Sequence, residues 1–231
     1  MTKEELIIQI AKCEEIKKAR QDEKHSCHSI VVNAQTDKNG RTLTKEEFHL
    51  PEPFNGDIEK ADILFVGINP NYNDEECYPK GNWNDKDVRG FFLNRIINKK
   101  TRYWNHILEI TKQIKKKSKQ TRKNINCINL IDTMQTNKMI NVACSDLCIC
   151  VTEIVHCKSH SQNDVSIECE QYCVNKWLKQ ILKLFKGKYV VLIGARAKSY
   201  LSHFTDKKII IAPYSRYIKK EEIIQKVLEQ L

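Results

Sequence analysis

The chain has no long apolar run: nothing in it approaches the roughly 18 consecutive apolar residues that a membrane helix needs, so a membrane role is excluded from the expectation. A secretory leader is not recognisable either, because MTKEELIIQIAKCEE carries acidic residues where such a leader has none. The sequence therefore predicts a soluble, cytoplasmic protein, and a monomer. Glycine and proline are scarce, seven and five, too few to fragment the chain into low-complexity or collagen-like segments. No internal repeat is present, and the phosphate-cradling GxGxxG and Walker loops are missing, which leaves Gly194-Ala195-Arg196 as the only support for a generic nucleotide-binding protein. Acidic side chains are outnumbered, 29 against 39 basic ones, for a net charge of +10. That bias favours a polyanionic partner such as DNA. Its densest stretches are Lys99, Lys100 and Arg102, then Lys112, Lys115, Lys116, Lys117, Lys119, Arg122 and Lys123; a solvated helix face is the plainer account of the same residues.

Cysteine, in contrast, is plentiful. Ten cysteines in a reducing compartment call for burial or metal ligation rather than disulfides. Cys127, Cys148 and Cys150 sit in apolar runs and read as small core residues. Cys13, Cys27, Cys157 and Cys173 have polar neighbours and wider spacing.

Length and periodicity predict one α/β domain over residues 1–231, with 1–60 as an N-terminal extension. Apolar residues at helical spacing predict a helix from Lys3 to about Ala19, followed by a short β run in HSIVVNA and a turn-rich stretch through Asn55-Gly56. ADILFVGINP reads as a strand buried on both faces. Helices are expected at about Asp87 to Ile97 and Tyr103 to Lys119, strands at Cys148 to Val155, Tyr189 to Ile193 and KIIIA, and helices between and after them. Strands separated by helices imply parallel crossovers. The expected architecture is a three-layer α/β/α fold around a central, mostly parallel four-stranded sheet.

In such sheets ligands bind beyond the carboxyl ends of the strands. Those ends read Gly67-Ile68-Asn69-Pro70, Thr152 through Ser159, Gly194-Ala195-Arg196, and Ala212-Pro213-Tyr214-Ser215-Arg216. VGINP resembles the first motif of the uracil-DNA glycosylase superfamily, most closely its mismatch-specific branch, and TRYWNHILEI is similar to the aromatic pair and helix downstream there. The second half resembles the iron-sulfur branch: a strand, Cys157, Cys173 sixteen residues later on a helix, then YVVLIGARAKSYL. APYSR stands where the superfamily has its closing motif, so the likeness runs from about Ala61 to Arg216.

The resemblance implies a DNA glycosylase of base repair, hydrolysing the N-glycosidic bond of uracil or a related damaged base flipped from the duplex. It makes Asn69 the residue that positions the attacking water. Gly67, Ile68, Pro70, Tyr72, Phe92, Glu153, Ser215 and Arg216 become substrate contacts; Phe91 and Trp83 are further stacking candidates, and Tyr214 or Tyr217 could fill the gap left by the base. Two positions depart from the pattern. Ala212 stands where the superfamily has a His that donates to the departing base, and Glu153 stands where the iron-sulfur branch has an Asn. An ionised Glu only accepts hydrogen bonds; it could equally pair with Arg196 or Lys158. These departures favour a second reading, a degenerate member that binds DNA or a modified base without cleaving it. The resemblance also implies a [4Fe-4S] cluster on Cys13, Cys27, Cys157 and Cys173, with zinc or no metal as alternatives. The N-terminal pair lacks that branch's C-x-x-C, and Cys169, one helical turn before Cys173, competes for a place.

Overall fold

Three continuous runs of β-branched and aliphatic residues become strands with every residue buried: β1 (Ile63–Gly67), β2 (Ile149–Glu153) and β3 (Tyr189–Ile193). The fourth, β4 (Lys208–Ala212), alternates buried and half-buried positions, as an edge strand does. In the computed structural model, which describes residues 1–37, 39–73, 76–94, 105, 107–112, 149–213 and 220–230, these strands form one parallel sheet in the order β2-β1-β3-β4. Ile63 pairs with Tyr189 at the start of the β1–β3 register, and Tyr189 pairs with Lys208 at the start of β3–β4. With its flanking helices the sheet is consistent with the expected three-layer α/β/α class.

The helices with described bounds include α1 (Lys3–Ala11), α2 (Glu15–Gln21), α3 (Asp85–Leu93), α4 (Ile167–Cys173), α5 (Lys179–Leu184), α6 (Ala195–Lys198) and α7 (Lys220–Leu228), and residues 107–112 are helical as well. Among the described residues, none is long and apolar enough to cross a membrane. A capping box starts α1: Thr2 Oγ1 accepts from the Glu5 N–H while the Glu5 carboxylate accepts from the Thr2 N–H.

Two local expectations are corrected. The helix expected from Lys3 to Ala19 is broken at Lys12, whose φ of −105° and ψ of 41° end α1. Cys13 thereby falls between α1 and α2 instead of on a helix face. HSIVVNA is no strand: Ser29–Asn33 is a π-helical turn with Ile30 and Val31 buried. Burial of its β-branched side chains is satisfied by helical backbone there, and tertiary packing overrides β propensity. A second π turn, Val174–Leu178, joins α4 to α5. Such turns are rare and concentrate at functional sites; one follows Cys27 by a single residue and the other begins directly after Cys173.

The chain divides into two compact units, each assembled from segments distant in sequence. The first holds Met1–Phe54, Gly67–Phe92 and Thr152–Leu184. The second holds Asn55–Val66, Leu93–Val151 and Phe185–Leu231, hence most of the sheet. Within the second, Asn55 and Val151 exchange two backbone hydrogen bonds of 2.8 Å. Gly56 follows with φ +107°, and a side chain there would meet the backbone of Ile149 and Cys150. Only glycine fits that approach. Cys150 is buried in β2 as a core residue, its Sγ 4.0 Å from the Gly56 carbonyl oxygen.

Candidate functional site

The first unit contains the ends of β1 and β2 and the chain beyond them. Past the strands the two segments stay laced together: Ile154 N–H bonds to Gly67 O, Val155 N–H to Ile68 O, Ser159 N–H to Pro70 O and Tyr72 N–H to Ser159 O, all between 2.8 and 3.1 Å. This ladder carries Asn69 to Ser159. Asn69 Nδ2 donates to Ser159 Oγ at 2.6 Å and to Pro70 O at 3.3 Å, while Ser159 Oγ donates to Ser161 O at 2.6 Å. Because Ser159 spends its proton on a carbonyl, it can only accept from Asn69, and Pro70 O is also an acceptor. The amide orientation is thereby fixed, with nitrogen toward Ser159. Asn69 Oδ1 is left buried with no hydrogen-bond partner.

Glu153, the last residue of β2, is 8% exposed, and its carboxylate fills the space that a Cβ on Gly67 would occupy. Glycine at 67 is what admits the carboxylate to the strand end. Glu153 is not the partner of Lys158 among the ion pairs found: Lys158 Nζ lies 2.6 Å from Glu76 Oε2 and 3.6 Å from Glu52 Oε2. That ammonium is itself almost fully buried and sits 3.7 Å from the centre of the Tyr78 ring.

The aromatic candidates are packed among themselves. Tyr72 lies against His49 and His160 at centroid distances of 5.0 and 4.8 Å. Phe92 is buried edge-on to Tyr78 and Phe91, and Phe91 also meets Trp83. Ile68 is 3% exposed and Pro70 is buried. Arg196 belongs to the second unit. Ala212 ends β4, its carbonyl accepting from the Gly194 N–H. Ser215 and Arg216 lie outside the described residues, as do Tyr214, Tyr217, Cys127, Cys148, Lys99, Lys100, Arg102, Lys115, Lys116, Lys117, Lys119, Arg122 and Lys123.

All four expected cysteine ligands, Cys13, Cys27, Cys157 and Cys173, line one cavity. Four separate pieces of chain deliver them. Burying Leu6, Ile7 and Ile10 on α1 sets the turn that carries Cys13; Cys27 donates its N–H to His25 Nδ1; Cys157 lies between the ladder bonds of Val155 and Ser159; Cys173 ends α4, whose Ser166 cap accepts from the Cys169 N–H. Ile10, Ile16, Val31, Pro51 and Trp177 make much of the remaining wall. Cys169 stands beside the set, its Sγ 3.4 Å from Cys27 Sγ. Burial pushes the Cys13 thiol up to about 11 and Cys157 well above its usual value. Hydrogen bonds to Cys173 and Cys27 raise Cys169, and the same contact, received by Cys27, lowers that thiol to about 7. Among the described residues no three His, Cys, Asp or Glu side chains are grouped so as to hold a single metal ion.

Sequence reasoning assigned no role to His156. Its Nδ1 is 2.8 Å from the carbonyl oxygen of Glu52, whose own N–H donates to His156 O at 2.8 Å, so the ring is held from both sides. Burial lowers its pKa to about 4. The signal available was position alone, between a strand end and Cys157. Ser159 was visible in the same way. No protein-family model matches the chain, and no curated protein matches it.

Proposed function

We propose that this protein is a DNA glycosylase that hydrolyses the N-glycosidic bond of a damaged or deaminated base. Asn69 carries the reading. An amide locked by Ser159 and Pro70 presents a buried carbonyl oxygen that no group among the described residues satisfies. Leaving such an acceptor unmet costs about 1–3 kcal/mol, so the position suits a water molecule, which Asn69 would hold by accepting a hydrogen bond from it. Asparagine is no base at neutral pH and acts by orientation. The water oxygen adds to C1′ as the C1′–N bond breaks, the bonding electrons leave with the base, and the proton lost by the water is taken up by that base. Ala212 offers no side-chain donor to that leaving group, so backbone amides must stabilise it. Glu153 accepts only, which favours a base presenting an N–H to it. The net charge of +10 fits a DNA partner.

Oligonucleotides carrying uracil, hypoxanthine, xanthine or a G·T mismatch, followed by cleavage at abasic sites, test this. Release of at least one base is expected, with Asn69→Ala reducing it by about 100-fold or more while DNA binding persists. A wild type inactive on every lesion, yet holding DNA with an affinity that falls steeply between about 50 and 200 mM salt, would establish instead the non-cleaving reading that Ala212 and Glu153 favour.

We propose a [4Fe-4S] cluster for the cysteine cavity, because all four expected ligands line it. A single zinc ion needs its four thiolates about 3.8 Å apart, from a Zn–S bond of about 2.3 Å and tetrahedral geometry. A cubane separates its ligands further, around a void. Cysteines from four chain segments lining one cavity are the feature that supports the reading. Thiolates must replace the buried thiols, and the charge of the bound iron supplies the driving force. Bound there, the cluster would cross-link the N-terminal segment to the β2–α4 segment. Protein purified without oxygen is expected to be brown and to hold about four irons per chain; colourless, iron-free protein after reconstitution would sink this.

A further inference from the structure

We propose that Cys27 and Cys169 form a reversible disulfide when a peroxide reaches the cysteine cavity. Their Sγ atoms lie 3.4 Å apart although the residues are 142 positions apart in the chain. Closing to an S–S bond of about 2.05 Å takes a shift of about 1.4 Å. Ser166 holds the two pieces of chain in place: its Oγ accepts from the Cys169 N–H at 3.1 Å and donates to the carbonyl of Ser26, the neighbour of Cys27, at 3.2 Å. One hydroxyl thus ties the residue before one thiol to the backbone of the other. Cys173 is the rival partner, since it too bonds Cys169. It stands one helical turn away on α4, where Cβ atoms are about 5–6 Å apart, beyond the roughly 3.5–4.5 Å that a disulfide needs. Cys27 comes from another segment and carries no such constraint.

Access is uneven. Cys27 lines the cavity and Cys169 does not, and the rim at Cys13, Ile16 and Tyr172 is half-buried, so a small oxidant entering there meets Cys27 first. The Cys27 sulfur attacks one peroxide oxygen and the O–O bond breaks; the second oxygen leaves as water with the thiol's proton, and Cys27 becomes a sulfenic acid. Cys169 Sγ then attacks that sulfur, the S–O bond breaks, and a second water leaves with the Cys169 proton. Two thiols lose two electrons, and one peroxide is reduced to two waters. The new bond ties the N-terminal segment to α4 and takes Cys27 out of the ligand set. That consequence rests on the cluster reading above; the disulfide itself does not.

The test uses the full chain, freed of iron by a chelator, reduced, and treated with equimolar hydrogen peroxide, as wild type, Cys169→Ser and Ser166→Ala. Free thiols are counted and cross-linked peptides mapped by mass spectrometry after alkylation. Wild type is expected to lose two of its ten thiols, to link Cys27 to Cys169, and to recover both thiols with dithiothreitol. Cys169→Ser should lose that cross-link and let dimedone label Cys27. Ser166→Ala should form the bond at least about 2-fold more slowly, as the loss of a net hydrogen bond implies. Thiols that stay intact, a link from Cys169 to Cys173, or oxidation that begins at Cys13 would overturn the proposal. Anaerobic reconstitution with iron and sulfide tests the consequence for the ligand set: oxidised wild type is expected to assemble no cluster until it is reduced again. Oxidised protein that still takes up about four irons refutes that consequence. Reduced wild type that binds no iron, yet forms the Cys27–Cys169 bond, removes the cluster reading and upholds the disulfide. The wild-type mapping needs no substitution, so a variant that fails to fold does not shield the proposal.

Discussion

Replacing Lys158 by Met should cost about 3–5 kcal/mol of stability. The ammonium is buried, 2.6 Å from Glu76 and 3.6 Å from Glu52, over the Tyr78 ring. Methionine keeps the length and apolar stem but removes the charge. Glu76, 29% exposed at its side chain, can recover water; Glu52, at 10%, cannot, and loses the cation opposite it while retaining the Tyr78 hydroxyl at 3.2 Å. Breaking one partner of a buried pair has the magnitude given because the remaining charge stays desolvated. For a chain of this size each kcal/mol shifts Tm by about 2–4 °C, so the midpoint should fall by about 6–20 °C. Urea unfolding followed by far-UV circular dichroism measures it. Adding Glu52→Gln removes the stranded charge and keeps an acceptor for Tyr78. The double variant should therefore be more stable than the sum of the single losses by at least about 1 kcal/mol. A loss below about 1 kcal/mol for Lys158→Met, additive with Glu52→Gln, would refute the argument that the burial of this pair dominates its energetics.

Gly56→Ala should destabilise by about 1–3 kcal/mol or more, because the new Cβ meets backbone atoms of Ile149 and Cys150 at a φ of +107°; chemical denaturation reads it. Gly67→Ala meets only the end of a flexible side chain, the Glu153 carboxylate. It should cost less stability than Gly56→Ala and instead change which base is released in the oligonucleotide assay. Glu15 provides a pH test: burial opposes its ionisation, but hydrogen bonds from Lys18, His25 and Tyr172 and the Lys176 charge overcome this and hold its carboxyl down at about 2. Its folded value lies below the unfolded one of about 4.3, so its contribution is present above that pH and is lost as pH falls toward 2. Acid unfolding of Glu15→Gln should be flatter across that window, and an unchanged curve would exclude the network as the cause.

The sheet was legible because its strands are continuous apolar runs closed by glycine or polar residues. Tyr189–Ile193 and Lys208–Ala212 coincide with the reading made from periodicity. The N-terminal segment was not, since Ile30 and Val31 are buried by a π turn whose hydrogen-bond spacing leaves no hydropathy signature distinct from a short strand. Cysteine spacing pointed to the four residues that line the cavity. It could not weigh His156, whose buried Nε2 has no hydrogen-bond partner among the described residues, and it offered Cys169 only as a competitor for a ligand place, without its contact with Cys27, which joins positions 142 residues apart. Pair geometry of that kind is set by packing and is invisible to any pattern along the chain.

The segment after β2 explains why the two candidate chemistries occur together. His156 and Cys157 face the cavity, Lys158 turns to Glu52 and Glu76, and Ser159 fixes Asn69. Glu52 serves twice, its carbonyl holding the His156 ring and its carboxylate facing Lys158. A metal bound at Cys157 would therefore immobilise the residues that orient Asn69 without touching a substrate. Ser159→Ala separates orientation from the metal: it removes a 2.6 Å hydrogen bond from the Asn69 amide and none from the cavity. With a net hydrogen-bond contribution of about 0.5–1.5 kcal/mol, base release should slow by about 2- to 13-fold with iron content unchanged. A variant that loses iron would place Ser159 in the scaffold of the cavity, and one that keeps full activity would mean that Pro70 alone orients Asn69.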